Sequence, residues 1–438
     1  MYPLREVLIQ LDPLLPLFTL VKTPAYSSIL ITLFLHRSVR QHNNHSIRFR
    51  GHLAMPNDHE LRFAADDYQS ADNRDFTTDA IHGGYHGTSS AVPIYQGNTN
   101  YREGYEGTNS YGRGLDKAGG PTSGALEEQV RILEGAEWAQ ATSCGMSAVS
   151  QTLFGLLRSG DRVVCHKTVY AGTHMLFQDV LPVKWGVDVE MVNLCDPDAL
   201  KKALEKPARM VYFEPYAHSM EFIDLARATD IAHEAGALVV VDNTFLSPYL
   251  LRPLHYGADV VLHAMTKYMA GHGDALSGIV SGNDEEIRKQ IHYMRILMGG
   301  VLAPMNAFLV HRGLKTLAFR MERHCASGQK VAEYLDRHEK IARVDYLGLQ
   351  SHPQHEVASK YLRGYGGMMR FFSESGVSLD TFIGRLNMCK PWYSLGDVET
   401  LILPSDEGAY GGFEARVSVG LEDPDDIIAD LDQALENA

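Results

Sequence analysis

The sequence predicts an α/β fold: a large domain built on a mostly parallel sheet, followed by a smaller C-terminal α+β domain. Three observations carry that expectation. Short apolar, mostly Val-rich runs recur at "DRVVCH" (161–166), "DVEMVNL" (188–194), "ARMVYFE" (208–214), "ALVVVDN" (237–243) and "ADVVLHA" (258–264), with helix-like segments between them. Such runs separated by helices read as parallel strands covered on both faces. "RGLKTLAFRMERHCASGQKVAEYLDRH" (312–338) then reads as one long helix leading into a second domain, where "GGMMRFFSE", "ETLILP" and "EARVSVG" alternate with helical sequence.

Taken in order, residues 1–57 form a distinct extension. No Asp or Glu lies between Asp12 and Asp58, whereas Lys22, Arg37, Arg40, Arg48 and Arg50 do. The apolar stretch "AYSSILITLFL" (25–35) is well short of the roughly 20 residues that span a bilayer. Two readings stay open for this extension: an organelle transit peptide, or translated upstream sequence before a working start near Met55. From Thr77 to about Gly119 the chain is polar and rich in Gly, Tyr and Asn, which predicts an extended arm within a 58–119 segment. "PTSGALEEQVRILEGAEWAQATS" predicts a helix capped by Thr122 or Ser123, with Glu127 and Glu128 in its first turn. The large domain is expected over 120–312 and the smaller one over 313–438.

Composition narrows the class. A 438-residue chain with 45% hydrophobic and 21% charged residues is that of a globular protein. A formal charge of −14 argues against a nucleic-acid or anionic-membrane partner. The cysteines (Cys144, Cys165, Cys195, Cys325, Cys389) show neither CxxC nor Cys/His metal spacing. They read as free thiols in a reducing compartment, with cytoplasmic residence expected and no metal.

Open α/β sheets bind ligands beyond the carboxyl ends of their strands. Asp242 closes "ALVVVD", and Lys267 follows "ADVVLHAMT" in glycine-punctuated sequence. Singly, the first reads as a strand-end cap and the second as a surface lysine. Together they are the acid and the lysine that pyridoxal phosphate requires, one for its ring nitrogen and one for its aldehyde carbon. "TSCGMSAVSQTLFGLL" turns through Ser143, Cys144 and Gly145 into an apolar helix, whose first N–H groups at Gly145 and Met146 suit a phosphate. Thr266 offers a hydroxyl to the same group, and Tyr170 a face for a planar ring.

With these residues in hand, the chain from about Thr77 resembles the pyridoxal-phosphate-dependent trans-sulfuration family of cysteine and methionine metabolism. The resemblance runs through "AVPIYQGNT", "YGR", "LEGAEWAQATSCGMSAV", "YAGT", "VVVDNTF", "TKYMAGHGD", "RGLKTLAFRMERH", "YSLGDVETLI" and "RVSVGLED", in family order. It implies a fold-type I transferase-like architecture and a homotetramer made of two dimers. Lys267 would be the Schiff-base lysine and the proton-moving base, Asp242 the ring-nitrogen partner and Tyr170 the stacking ring. Gly145, Met146 and Thr266 would hold phosphate, joined from a neighbouring subunit by Tyr111 and Arg113. Arg416 would clamp the α-carboxylate of a small amino-acid substrate, with Ser394 and Tyr393 beside it.

Three departures bear on substrate. "Ser-x-Thr-Lys" is here Ala264-Met265-Thr266-Lys267, one hydroxyl fewer. "ESPxNPT" is replaced by "EPYAHSM", with Ala217 taken to stand where the family's asparagine meets the ring hydroxyl. "LPSDEGAYGGFEAR" is a shortened approach to Arg416. Tyr393 stands where γ-acting members often carry glutamate and some β-lyases tyrosine, whereas "SLGDVETLI" is similar to methionine γ-lyases and γ-synthases. The leading expectation is a C–S lyase acting by β- or γ-elimination on a sulfur amino acid, with Tyr170 or Tyr111 near the leaving thiol. The alternatives are a γ-replacement transferase on an activated homoserine, including one in specialised metabolism, and a non-catalytic protein that keeps the fold.

Overall fold

A computed structural model describes residues 74–85, 87, 89–98, 111, 120–406 and 408–438. The extension and most of the arm, Arg113 included, lie outside the described residues. Seven strands form the first sheet: β1 Trp138–Thr142, β2 Arg162–His166, β3 Asp188–Val192, β4 Met210–Phe213, β5 Leu238–Asp242, β6 Val260–His263 and β7 Gly278–Gly282. Their spatial order is β1-β7-β6-β5-β4-β2-β3. Pairs β2/β3, β2/β4, β4/β5 and β5/β6 are parallel, while β7 runs against both β6 and β1. The doubly covered sheet explains the Val-rich runs. Val239, Val241 and Val261 pack into one apolar cluster, and Val240, Val260 and Leu262 into another on the opposite face.

A second sheet, antiparallel in the order β10-β11-β9-β8, comprises β8 Ile341–Asp345, β9 Met368–Ser373, β10 Leu401–Ser405 and β11 Glu414–Ser418. Helices Leu379–Arg385 and Pro424–Glu436 cover its apolar face, with Phe371, Phe382, Ile427 and Leu431 fully buried among them.

Local sequence misleads at four places. The expected extended arm contains a helix, Phe76–His82, capped by the Asp75 carboxylate accepting from Thr77 N at 2.8 Å. The helix expected through residue 143 ends at Glu134, because Gly135 turns left-handed (φ 67°), and β1 follows. Its N-cap is Gly120 with Pro121 in first place; Thr122 instead ties the arm, accepting from Tyr95 N at 2.9 Å and donating to Pro93 O at 2.7 Å. The single long helix expected at 312–338 is two, Pro304–Leu314 and Leu317–Leu335. At the break the buried Arg320 guanidinium donates to Gly313 O at 2.8 Å, Tyr268 O at 2.5 Å and Met269 O at 3.3 Å. It thereby fastens the helix pair to the loop that carries Lys267.

Candidate active site

Since β1 opposes β7, which opposes β6, the carboxyl ends of β1, β5 and β6 lie on one edge of the sheet. Gly145, Asp242 and Lys267 follow from those ends. At Gly145 there is no room for a side chain: a Cβ would lie 2.5 Å from the Ala264 Cβ. The close contact seats the start of helix Gly145–Leu156 against the segment leading to Lys267. Its first N–H groups have no intrahelical acceptor. Thr266 is nearby but engaged, donating to Ser277 O at 3.3 Å and accepting from Ser277 N at 3.1 Å.

Lys267 Nζ donates to Ser394 Oγ at 2.8 Å. Burial, with the Arg416 charge adding to it, pushes this amine down to about 8. Ser394 holds a positive φ of 106°, costly for a residue with a side chain and typical of constrained functional positions. Its carbonyl accepts from Arg416 Nη2 at 2.7 Å, so one serine joins the lysine to the arginine. Two residues on, Gly396 (φ 71°) allows the loop to approach; a Cβ there would sit 2.6 Å from Tyr268 N.

Arg416 lies on β11 beside Arg370 of β9. Arg370 is ion-paired with Asp345 at 3.1 Å and Glu414 at 3.7 Å. Among the described residues no carboxylate pairs with Arg416, whose second partner is the His218 Nδ1, 2.9 Å from Nη1. Burial draws the guanidinium down to about 10.

Asp242 is nearly enclosed, accepting from Thr244 N at 3.0 Å and Thr244 Oγ1 at 2.5 Å, with no lysine or arginine paired to it among the described residues. Burial raises its carboxyl above the usual carboxylate range. Glu214, at the end of β4, is raised further by burial and by the Asp242 charge, and it accepts from Tyr170 N at 2.6 Å. The Tyr170 ring is half exposed and lies 6.4 Å from the His218 ring at 29°.

The structure therefore brings Lys267, Ser394 and Arg416 into one hydrogen-bonded network that reaches the Tyr170 ring through His218, while Asp242 acts through its charge on Glu214, the acceptor of Tyr170 N. Gly145 borders the lysine segment through Ala264, with Met146 next in its helix. Tyr393 is 83% exposed next to Ser394, and Tyr111 is half exposed. Ala217 is 1% exposed, buried in the core. Its neighbour His218 reaches the site instead, and counting four residues from Glu214 would have found it. Sequence reasoning also missed Glu214 and Thr244; the available signals were that Glu214 closes the strand run Met210–Phe213 and that Thr244 lies two residues after Asp242.

This donor set fits pyridoxal phosphate. A lysine of lowered basicity, a buried carboxylate with no lysine or arginine paired to it among the described residues, and a helix start too crowded for a Cβ supply its aldehyde, ring-nitrogen and phosphate requirements. Fold and site together define a pyridoxal-phosphate-dependent enzyme. The chain belongs to the Cys/Met metabolism PLP-dependent enzyme family, which it matches over residues 77–436. It is 40% identical over 390 residues to an L-methionine gamma-lyase of Fusobacterium nucleatum subsp. polymorphum, covering 82% of this chain and 97% of that protein. It is 37% identical over 378 residues to a cystathionine beta-lyase of Lactococcus lactis subsp. cremoris, covering 82% and 98%. The structure of a cystathionine gamma synthase from Xanthomonas oryzae pv. oryzae is similar with TM-score 0.77 at 31% identity, over 83% of this chain and 98% of that one. No helix among the described residues is long and apolar enough to cross a membrane.

Proposed function

We propose that this chain cleaves a carbon–sulfur bond of a sulfur-containing amino acid by β- or γ-elimination. The observation that carries the reading is the Lys267–Ser394–Arg416 chain, which sets a weakly basic amine two hydrogen bonds from an arginine that no carboxylate among the described residues pairs with. Arg416 would receive the substrate's α-carboxylate through N–H groups not engaged by Ser394 and His218. Lys267, near neutrality in basicity, would take the α-proton on Nζ and return protons to neighbouring carbons. Ser394 would hold that amine in reach of both.

Pyridoxal phosphate, when bound, supplies the electron sink that makes the α-proton acidic. Asp242 would hold its ring nitrogen, Tyr170 its ring face, and Gly145, Met146 and Thr266 its phosphate. Thr266 would do so by rotating its hydroxyl away from Ser277 O. In this reading Tyr111 and Arg113 complete the phosphate site of a neighbouring subunit in a homotetramer. Residues 120–312 act as the cofactor-binding domain and 313–438 as the domain carrying Arg416 and Ser394. Tyr170 or Tyr111 stands near the leaving thiol, with Tyr393 beside the substrate. Cytoplasmic residence belongs to the same proposal.

The similarity to a cystathionine gamma synthase favours a second reading, γ-replacement on an activated homoserine, which would use the same residues. Mass analysis of the 2-oxo acid released from L-cystathionine by cofactor-loaded protein separates the branches. Pyruvate supports β-elimination and 2-oxobutanoate γ-elimination. If neither forms, the lyase reading fails, and activated homoserines with thiol nucleophiles become the substrates to test.

A further inference from the structure

His218, four residues past Glu214, has no part in the chemistry assigned to the site beyond its contact with Arg416. It sits in a tight hairpin after β4, closed by the Tyr216–Phe222 bridge, by Ile223 N donating to Pro215 O at 2.9 Å and by Met220 N donating to Ala217 O at 2.9 Å. The hairpin is anchored outward as well, by Tyr216 OH donating to Met368 O at 3.0 Å and His352 Nε2 donating to Met220 O at 3.0 Å. The imidazole therefore rides on a rigid support. Its ring packs edge-on to Phe245 (5.1 Å, 78°) and lies near that of Tyr170.

The partner of Nδ1 is a guanidinium, which donates and never accepts. Nδ1 must then be the acceptor, and the ring's one proton resides on Nε2. An imidazolium would turn an N–H toward the guanidinium's own N–H. Burial first, then the positive charges of Arg416, Lys267 and Arg370 among the described residues, push the titration of the ring down to about 4. Both acceptors of Arg416, the His218 nitrogen and the Ser394 carbonyl, are neutral. Two of its five N–H groups are thus oriented while its full positive charge is kept for an anion. A carboxylate in the place of His218 would orient the arginine equally well but would cancel that charge.

We propose that His218 is the positioning residue of the carboxylate site: as a neutral imidazole protonated on Nε2, it accepts from Arg416 and fixes the guanidinium to receive an amino acid's α-carboxylate. The inference rests on the reading of Arg416 as the carboxylate receptor.

The test uses the full chain loaded with cofactor and titrated with glycine, which carries the α-amine and α-carboxylate and no leaving group. Binding is followed by the visible absorbance of the cofactor, with ethylamine as the carboxylate-free control. H218F, a planar ring without an acceptor, should weaken glycine about tenfold, the worth of one hydrogen bond to a charged group, and leave ethylamine unchanged. H218N, which restores an acceptor, should return glycine affinity to within about threefold of the parent. In cofactor-free protein, nitrogen-15 NMR should show for His218 the Nε2–H tautomer from pH 6 to 8, the signal vanishing in H218N. Unchanged glycine affinity in H218F, or an Nδ1–H or imidazolium signal, would overturn the proposal. R416K separates the two layers. If glycine affinity also survives R416K, the carboxylate reading itself fails; if only R416K weakens it, the role of His218 alone is wrong.

Discussion

At the scale of single residues, environment rather than identity makes Lys267 unusual. Burial and the Arg416 charge lower its amine to about 8, so the neutral, nucleophilic form dominates above that pH. Rebinding of pyridoxal phosphate to cofactor-stripped protein should accelerate about tenfold per pH unit below 8 and level off above it, whereas an unperturbed lysine would keep accelerating toward about 10.4. Stopped-flow absorbance checks this, and K267A should show no covalent phase. Ala264 offers a second residue-scale test. Its Cβ faces the start of helix Gly145–Leu156, so A264S would add a hydroxyl beside the first-turn amides. Cofactor dissociation should become about three- to tenfold weaker in extent, consistent with one added hydrogen bond. An unchanged dissociation constant by equilibrium dialysis would mean that the hydroxyl does not reach the phosphate.

At the scale of elements, the break between helices Pro304–Leu314 and Leu317–Leu335 holds the Lys267 loop. Arg320, 5% exposed, serves three backbone carbonyls there, and burial lowers its guanidinium to about 10. R320M should fill most of the volume yet leave the Tyr268 and Met269 carbonyls without the Arg320 donor, Gly313 O keeping Thr316, at a cost of about 3 kcal/mol. Urea unfolding would read the loss, and cofactor affinity should fall with it because the Tyr268 and Met269 carbonyls follow the lysine directly. A stability within 1 kcal/mol or so of the parent would contradict a holding role. The break was invisible in the sequence because "RGLKTLAFRMERH" keeps helical apolar spacing throughout; the interruption comes from a long-range contact to residues 268 and 269.

For the whole molecule, buried histidines govern the response to acid. His166, His218, His311 and His324 all titrate near 4, each chiefly through burial, against an ordinary value of 6.5. The unfolded chain therefore binds more protons than the folded one between those values. Stability is full above about 6.5 and falls as pH drops toward 4, by up to about 1.4 kcal/mol per pH unit for each group. The raised carboxyls of Glu214 and Asp242 act in the opposite sense, two groups against four. Thermal unfolding should thus show a lower Tm at pH 5 than at pH 7. A Tm that rises on acidification would mean that the raised carboxyls of Glu214 and Asp242 outweigh the buried histidines.

The sequence by itself determined five strands of the main sheet, β2 to β6, since a sheet buried on both faces demands apolar residues at successive positions; β1 lay inside a stretch that reads as helix, and β7 went unmarked. It also marked Lys267, Asp242, Tyr170 and Arg416 as residues to watch, because their types and places at strand ends and in family-like motifs carry chemical meaning. It could not disclose Ser394 as the bridge between lysine and arginine, which depends on a contact 127 positions away and a strained backbone. A count of four residues from Glu214 reaches His218, but its contact with Arg416, 198 positions away, was beyond the sequence. Local patterns record which face of an element is buried; which charged groups meet, and which of them is left without a counter-charge, only tertiary packing decided.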